Sequence, residues 1–133
     1  MMEPIPHQAP FEWFKAMDQF NAQEFWECHE TLEPLWLPAG EPLKTFLQGV
    51  IQAAAGFHHI SRGNAKGALS LLSQSLEKVH RVSGVAVLHQ WLDFTVFIEE
   101  TESAQAEVQR LGAERLHLFC PGKFPVMLPL PVA

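Results

Sequence analysis

Tyrosine is absent from the 133 residues, and cysteine, basic residues and long apolar runs are scarce. Bulk for a core must therefore come from the ten Phe and four Trp. The two cysteines, Cys28 and Cys120, supply neither a disulfide framework nor a paired-cysteine zinc motif, so the chain reads as cytoplasmic. Cys28, inside a helical pattern, reads as a small buried hydrophobe. Lys plus Arg number 9 against 15 Asp plus Glu, a net charge of −6, which leaves no dense basic face and excludes a nucleic-acid partner. No apolar stretch approaches the roughly 18 residues that span a bilayer, and residues 1–10 have neither the basic start nor the apolar stretch of a signal peptide. No membrane partner is expected. Internal repeats are missing too, which excludes a solenoid.

What is present is globular in character: 47% hydrophobic and 18% charged residues, in a length that suits one domain. The reading is all-α, a compact bundle of about five helices with a central third helix. Pro10 suits a first helical turn, and Trp13, Phe14, Met17 and Phe20 follow at helical spacing. Asn21 and Glu24 resemble a capping box opening a second helix over about residues 22–36, which Pro34 should kink or end, freeing the Glu30 carbonyl. Pro42 opens a third helix reaching Arg62, with Phe46, Val50, Ala53, Ala54 and Phe57 on its main stripe and Leu47 and Ile51 beside it. Gly49 and Gly56 on that helix permit close approach of a neighbour. Gly63 and Asn64 read as C-cap and N-cap of a reversal into a fourth helix carrying Leu72, Leu76 and Val79. Residues 85–92 are ambiguous between a short helix and a packed loop, and Asp93 caps a fifth helix that runs up to Gly112.

The domain division expected is one helical domain over 1–116 and an extended, apolar, proline-rich tail over 117–133. Phe119, Phe124, Val126, Met127, Leu128 and Leu130 make that tail a contact surface, for the chain's own domain, a second copy or a protein partner.

Chemistry concentrates at Phe25-Trp26-Glu27-Cys28-His29-Glu30-Thr31-Leu32-Glu33. At about 100° per residue, His29 falls within the Phe25, Leu32 and Trp36 stripe with Glu33 one turn on, so the imidazole should face inward with a carboxylate beside it. On the third helix, His58 continues the row of Leu47 and Ile51, His59 aligns with Gln48 and Gln52, and Arg62 lies one turn beyond His58. If the two helices pack together, His29, Glu33, Gln48 or Gln52, and one of His58 or His59 converge. One chemical reading is a divalent metal held by His29, Glu33 and His58, since imidazole and carboxylate at i and i+4 can reach one ion. The half-match of His29-Glu30-x-x-Glu33 to the zinc-protease pattern lacks its second histidine. Another makes His29 a general base oriented by Glu33, with Arg62 holding an anionic group. No nucleophile or cofactor motif accompanies it. The third reading is structural: His29 and His58 are core histidines whose ring nitrogens are satisfied by Glu33, Gln52 or the Glu30 carbonyl.

These blocks, Phe25 to Trp36, then Phe46-Leu47-Gln48-Gly49-Val50-Ile51-Gln52-Ala53-Ala54-Ala55, His58 and Arg62-Gly63-Asn64 with Gly67-Ala68, resemble the bacterial and archaeal family called domain of unknown function 309. The similarity spans about residues 20–80. It implies a compact all-helical fold and no established activity. The family's characteristic polar positions fall on His29, Glu30, Glu33, Trp36, Gln48 and His58. With Gln52 and Arg62 these form the candidate pocket, for a small ligand or a divalent metal. The alternative is a helical protein-interaction module in which the polar cluster is structural.

Overall fold

The computed structural model describes residues 4–127, and every regular element among them is helical. Five α-helices follow in order: α1 (Phe11–Asn21), α2 (Phe25–Trp36), α3 (Leu43–Ser61), α4 (Ala65–Arg81) and α5 (Phe94–Arg115). Short 3-10 turns occupy Ala86–Gln90, Leu116–Leu118 and Pro121–Lys123. The helix α3 lies between α2 and α4 and packs on both. Its buried residues Phe46, Leu47, Val50, Ala53, Ala54, Phe57 and Ile60 cover most of its circumference, which is what a central helix requires.

Local chemistry explains most boundaries. Asn64 accepts the Gly67 N–H at 2.8 Å and Gly63 takes a left-handed φ of 77°, so the reversal between α3 and α4 forms as the capping signals indicate. Asp93 accepts the Val96 N–H at 3.1 Å and opens α5. The small residues of α3 are used as expected. A Cβ on Gly56 would stand 2.9 Å from Leu72 Cδ2, and one on Gly49 would stand 3.0 Å from Val79 Cγ2, so α4 approaches α3 too closely for larger residues.

Two expectations are corrected, the capping box and the extended tail. Asn21 and Glu24 form no capping box: Asn21 is the last residue of α1, Gln23 turns the chain with φ 62°, and α2 starts at Phe25 without a side-chain cap. The Asn21 amide instead binds the backbone of Met127, a partner invisible to local sequence. Pro34 lies inside α2, which continues to Trp36 as expected, because a proline this close to a helix end costs few further bonds. The helix α5 breaks at Gly112, as expected: that residue takes a left-handed φ of 67°, and a short helical piece resumes past it to Arg115. Finally, residues 117–127 are not one extended run. They make two 3-10 turns and bury Phe119, Pro125 and Met127 against the bundle, while residues 128–133 of the expected tail lie outside the described residues.

Two aromatic clusters lock the ends of the bundle. Trp13, Phe46 and Trp91 meet at one end, where the Trp13 indole donates to the Trp91 carbonyl at 2.9 Å and the Trp91 indole donates to the Pro6 carbonyl at 2.9 Å. At the other, Phe20, Phe25, Phe57 and Phe124 pack with ring centroids 5.0–5.8 Å apart, in the range favoured for tilted and edge-to-face pairs.

Candidate ligand site between the second and third helices

Because α2 and α3 run antiparallel, the start of α2 meets the end of α3. Phe25 packs on Phe57 beneath, and the residues one step along each helix, Trp26 and His58, meet above them. The Trp26 ring stacks on His29, centroids 4.8 Å apart and planes inclined by 26°, and lies 5.3 Å from His58. His59 follows at 6.4 Å from His58, its Nδ1 3.3 Å from the Asn64 amide nitrogen. This is an aromatic cluster with one large open face: Trp26 is 47% exposed, although it belongs to a residue type that usually hides its ring.

The imidazoles differ in setting. Burial holds His58 below the ordinary imidazole range, the neighbouring Arg62 and His59 charges push it the same way, Glu27 pulls partly back, and His29 adds a last small push downward. His58 is therefore uncharged at neutral pH. Its folded-state pKa lies below the unfolded value of about 6.5, so the stability linked to it is present above that value and is lost as pH falls through the folded pKa. We expect a pH titration of the imidazole resonances to place His58 below the ordinary imidazole value of about 6.5, and His58→Gln to flatten the loss of stability that begins below about that pH; a His58 that titrates at or above that value would contradict the charge arrangement.

His29 is half-buried, and its Nδ1 is sealed from solvent without a hydrogen-bond partner. Glu33 is exposed and makes no side-chain hydrogen bond or ion pair among the described residues, so it does not orient His29 as expected; one helical turn separates them, but the carboxylate turns to water. Glu30 is likewise exposed. Trp36 belongs to the far end of the same helix pair, where Lys44 Nζ sits 4.9 Å over its ring and the indole Nε1 is buried without a partner. Gln52 faces α4: its Nε2 donates to Gln74 Oε1 at 3.1 Å, and its own Oε1 is buried and unpaired. Gln48 is half-buried, and Arg62 is exposed at the C-cap of α3, near enough to depress His58.

Of the eight residues picked from sequence, the structure thus brings His29, His58 and Arg62 to one end, leaves Gln48 and Gln52 along the middle of α3, puts Trp36 at the opposite end and turns Glu30 and Glu33 outward. Among the described residues no group of three or more His, Cys, Asp or Glu side chains is placed to hold a metal ion, the trio His29, Glu33 and His58 included. The residue that sequence reasoning passed over is Trp26. Its spacing, one turn before His29, was the available signal. A cleft elsewhere, of about 610 Å³ between Pro4, Ile5, Leu35, Leu43, Leu47 and Trp91, is lined by apolar side chains and contains none of the eight.

The family model described as domain of unknown function 309 matches residues 13–71, which takes in α1, α2, α3 and the start of α4. The chain is 27% identical over 106 residues to the uncharacterized protein YpuF of Bacillus subtilis, covering 78% of this chain and 60% of that protein. It is 32% identical over 63 residues to an uncharacterized protein of Aquifex aeolicus, covering 47% of this chain and 19% of that one. The chain therefore spans less than two thirds of either relative's length. No solved structure gives a significant match.

Proposed function

We propose that this chain, whose residues 13–71 match a family without an assigned activity, is a small-ligand-binding helical domain, and that its ligand lies on the open face of Trp26 beside His29 and His58. One observation carries the reading. A large aromatic ring is left half in water, stacked on an imidazole whose buried Nδ1 has no partner, whereas a purely structural cluster would hide the ring and satisfy the nitrogen. A flat ring fits the Trp26 face, and an anionic substituent fits Arg62 and the imidazoles, so the ligand class is a small planar molecule bearing one negative group. A divalent metal is the less supported occupant, since it would have to complete its shell from water or from the ligand. The two free thiols, Cys28 and Cys120, support a reducing setting such as the cytoplasm.

The test uses adenosine monophosphate and nicotinate as probes, followed by the NMR shifts of the Trp26 indole and the His29 and His58 rings. Saturable shifts confined to these groups are expected, and Trp26→Ala should abolish those of His29 and His58 while the chain stays folded, because the ring is not part of the fully buried core. Titration at lower pH should tighten binding of both anions as His58 takes up its proton. Absence of any shift up to millimolar probe, together with no metal above background by elemental analysis, would sink the reading.

The competing role, a protein-interaction module, draws on exposed apolar side chains elsewhere, at Phe11, Phe14 and Leu118. Those lie away from the polar cluster, so a partner bound there would leave the Trp26 shifts untouched.

A further inference from the structure

At the end of the α2 and α3 pair opposite to Trp26, the packing leaves a concavity. A cleft of about 610 Å³ lies between the arm that precedes α1, the turn that joins α2 to α3, and Trp91. Leu35 from the last turn of α2, Leu43 and Leu47 from the start of α3, and Ile5 from the arm line it. Leu47 is buried, but Leu35, Leu43 and Ile5 are only half-buried, so aliphatic surface that a closed core would cover is left on the cleft walls. Close-packed interiors leave few voids larger than a water molecule, whereas a concavity of several hundred Å³ walled by apolar side chains is the usual form of a small-molecule site.

The walls are held in place without a ligand. The Trp91 indole donates to the Pro6 carbonyl at 2.9 Å and Ala9 is buried, which ties the arm to the bundle at two points. Across the cleft, the Ala39 N–H donates to the Trp36 carbonyl at 3.1 Å and the Lys44 N–H to the Gly40 carbonyl at 3.0 Å, which fixes the turn between the helices. The same bonds use up polar groups. The Trp91 donor is spent on Pro6, and Pro4, Pro6, Pro10 and Pro38, all on the lining, have no N–H to offer. No charged side chain lines the cleft among the described residues, so an ion placed there would lose its water and gain no partner.

We propose that this cleft is a binding site distinct from the Trp26 face, and that it takes an uncharged, largely hydrocarbon small molecule. Its walls select by exclusion. They reward apolar surface, which leaves water on entry, and they reject both signs of charge for want of a counter-charge or a donor. The mouth has room at Gly40, which lines the cleft and whose Cβ, if it had one, would meet nothing within 4 Å. The inference stands apart from the ligand reading, because the two places lie at opposite ends of the helix pair and call for opposite chemistry: an anion beside Arg62 and the imidazoles, a neutral hydrocarbon beside Leu43 and Trp91.

The test titrates the full chain with N-phenylnaphthylamine, a neutral dye whose emission rises in apolar surroundings. We expect a saturable rise that decanol reverses, with decanoate displacing the dye at least about tenfold less well because its carboxylate finds no partner in the cleft. The Trp91 indole N–H resonance should shift on binding while that of Trp26 stays in place. Gly40→Phe, which has open space for its Cβ at the mouth, should abolish the rise at an unchanged melting temperature, whereas Phe14→Ser, which removes an exposed ring of α1, should leave the rise intact. The proposal is overturned by the absence of a saturable rise, by a Trp91 resonance that does not move, by decanoate as effective as decanol, or by a rise that survives Gly40→Phe or is lost in Phe14→Ser. The dye and resonance measurements on the unsubstituted chain decide the matter even if Gly40→Phe fails to fold.

Discussion

Replacing Phe57 with alanine is expected to lower the unfolding free energy by about 3–5 kcal/mol, the usual cost of emptying a core aromatic site. Phe57 is fully buried at the centre of the cluster that holds three elements together, with ring centroids 5.7 Å from Phe20, 5.4 Å from Phe25 and 5.8 Å from Phe124. The cavity would be flanked by aromatic rings that cannot collapse far, because each is itself pinned by a helix or by the grip of Asn21 on the strap that carries Phe124. The loss should appear as a fall in the denaturant midpoint at an unchanged slope. Phe57→Leu should recover most of it, since keeping volume matters more than aromaticity. A Phe57→Ala loss below about 1 kcal/mol would show that the site is not packed as described.

Trp13→Ala should be comparably damaging, about 3–5 kcal/mol, and for a second reason besides volume. Its indole closes the other end of the bundle against Phe46 and Trp91, and its Nε1 donates to the buried Trp91 carbonyl. Trp13→Phe separates the two contributions: it keeps most of the ring and strands the carbonyl, so roughly 1–3 kcal/mol of the loss should remain from the unpaired acceptor. Thermal and urea unfolding of the two variants measure the difference. A Trp13→Phe variant as stable as the parent would show that the bond contributes nothing.

How far the sequence carried the fold can be traced through single residues. Asn64 with Gly63, and Asp93 before Phe94, were legible because a cap acts within one turn of the residue that makes it, and the structure shows both. Asn21 failed as a cap because its amide had a better partner more than a hundred residues away, and a short polar side chain carries no mark of which backbone it will bind. The candidate site divides along the same line. Helical projection put His29 and His58 on facing surfaces correctly, since both follow the period of α2 and α3. It could not show that Glu33 turns to water, that Gln52 is drawn to Gln74 on α4, or that Trp26 is the side chain bridging the two imidazoles. Those outcomes depend on the rotation of each helix about its axis, to within tens of degrees, and that rotation is set by the whole core.

By itself the sequence determined that this is an all-helical bundle, where most helices begin and end, and that α3 is the central one, because period, capping and composition act over a few neighbouring residues. Only the tertiary structure decided which polar groups share a space, which stay unpaired, and that the segment after α5 returns to tie down α1. Such choices come from packing many side chains at once at crystal-like density, where the position of each is fixed by residues distant in the chain.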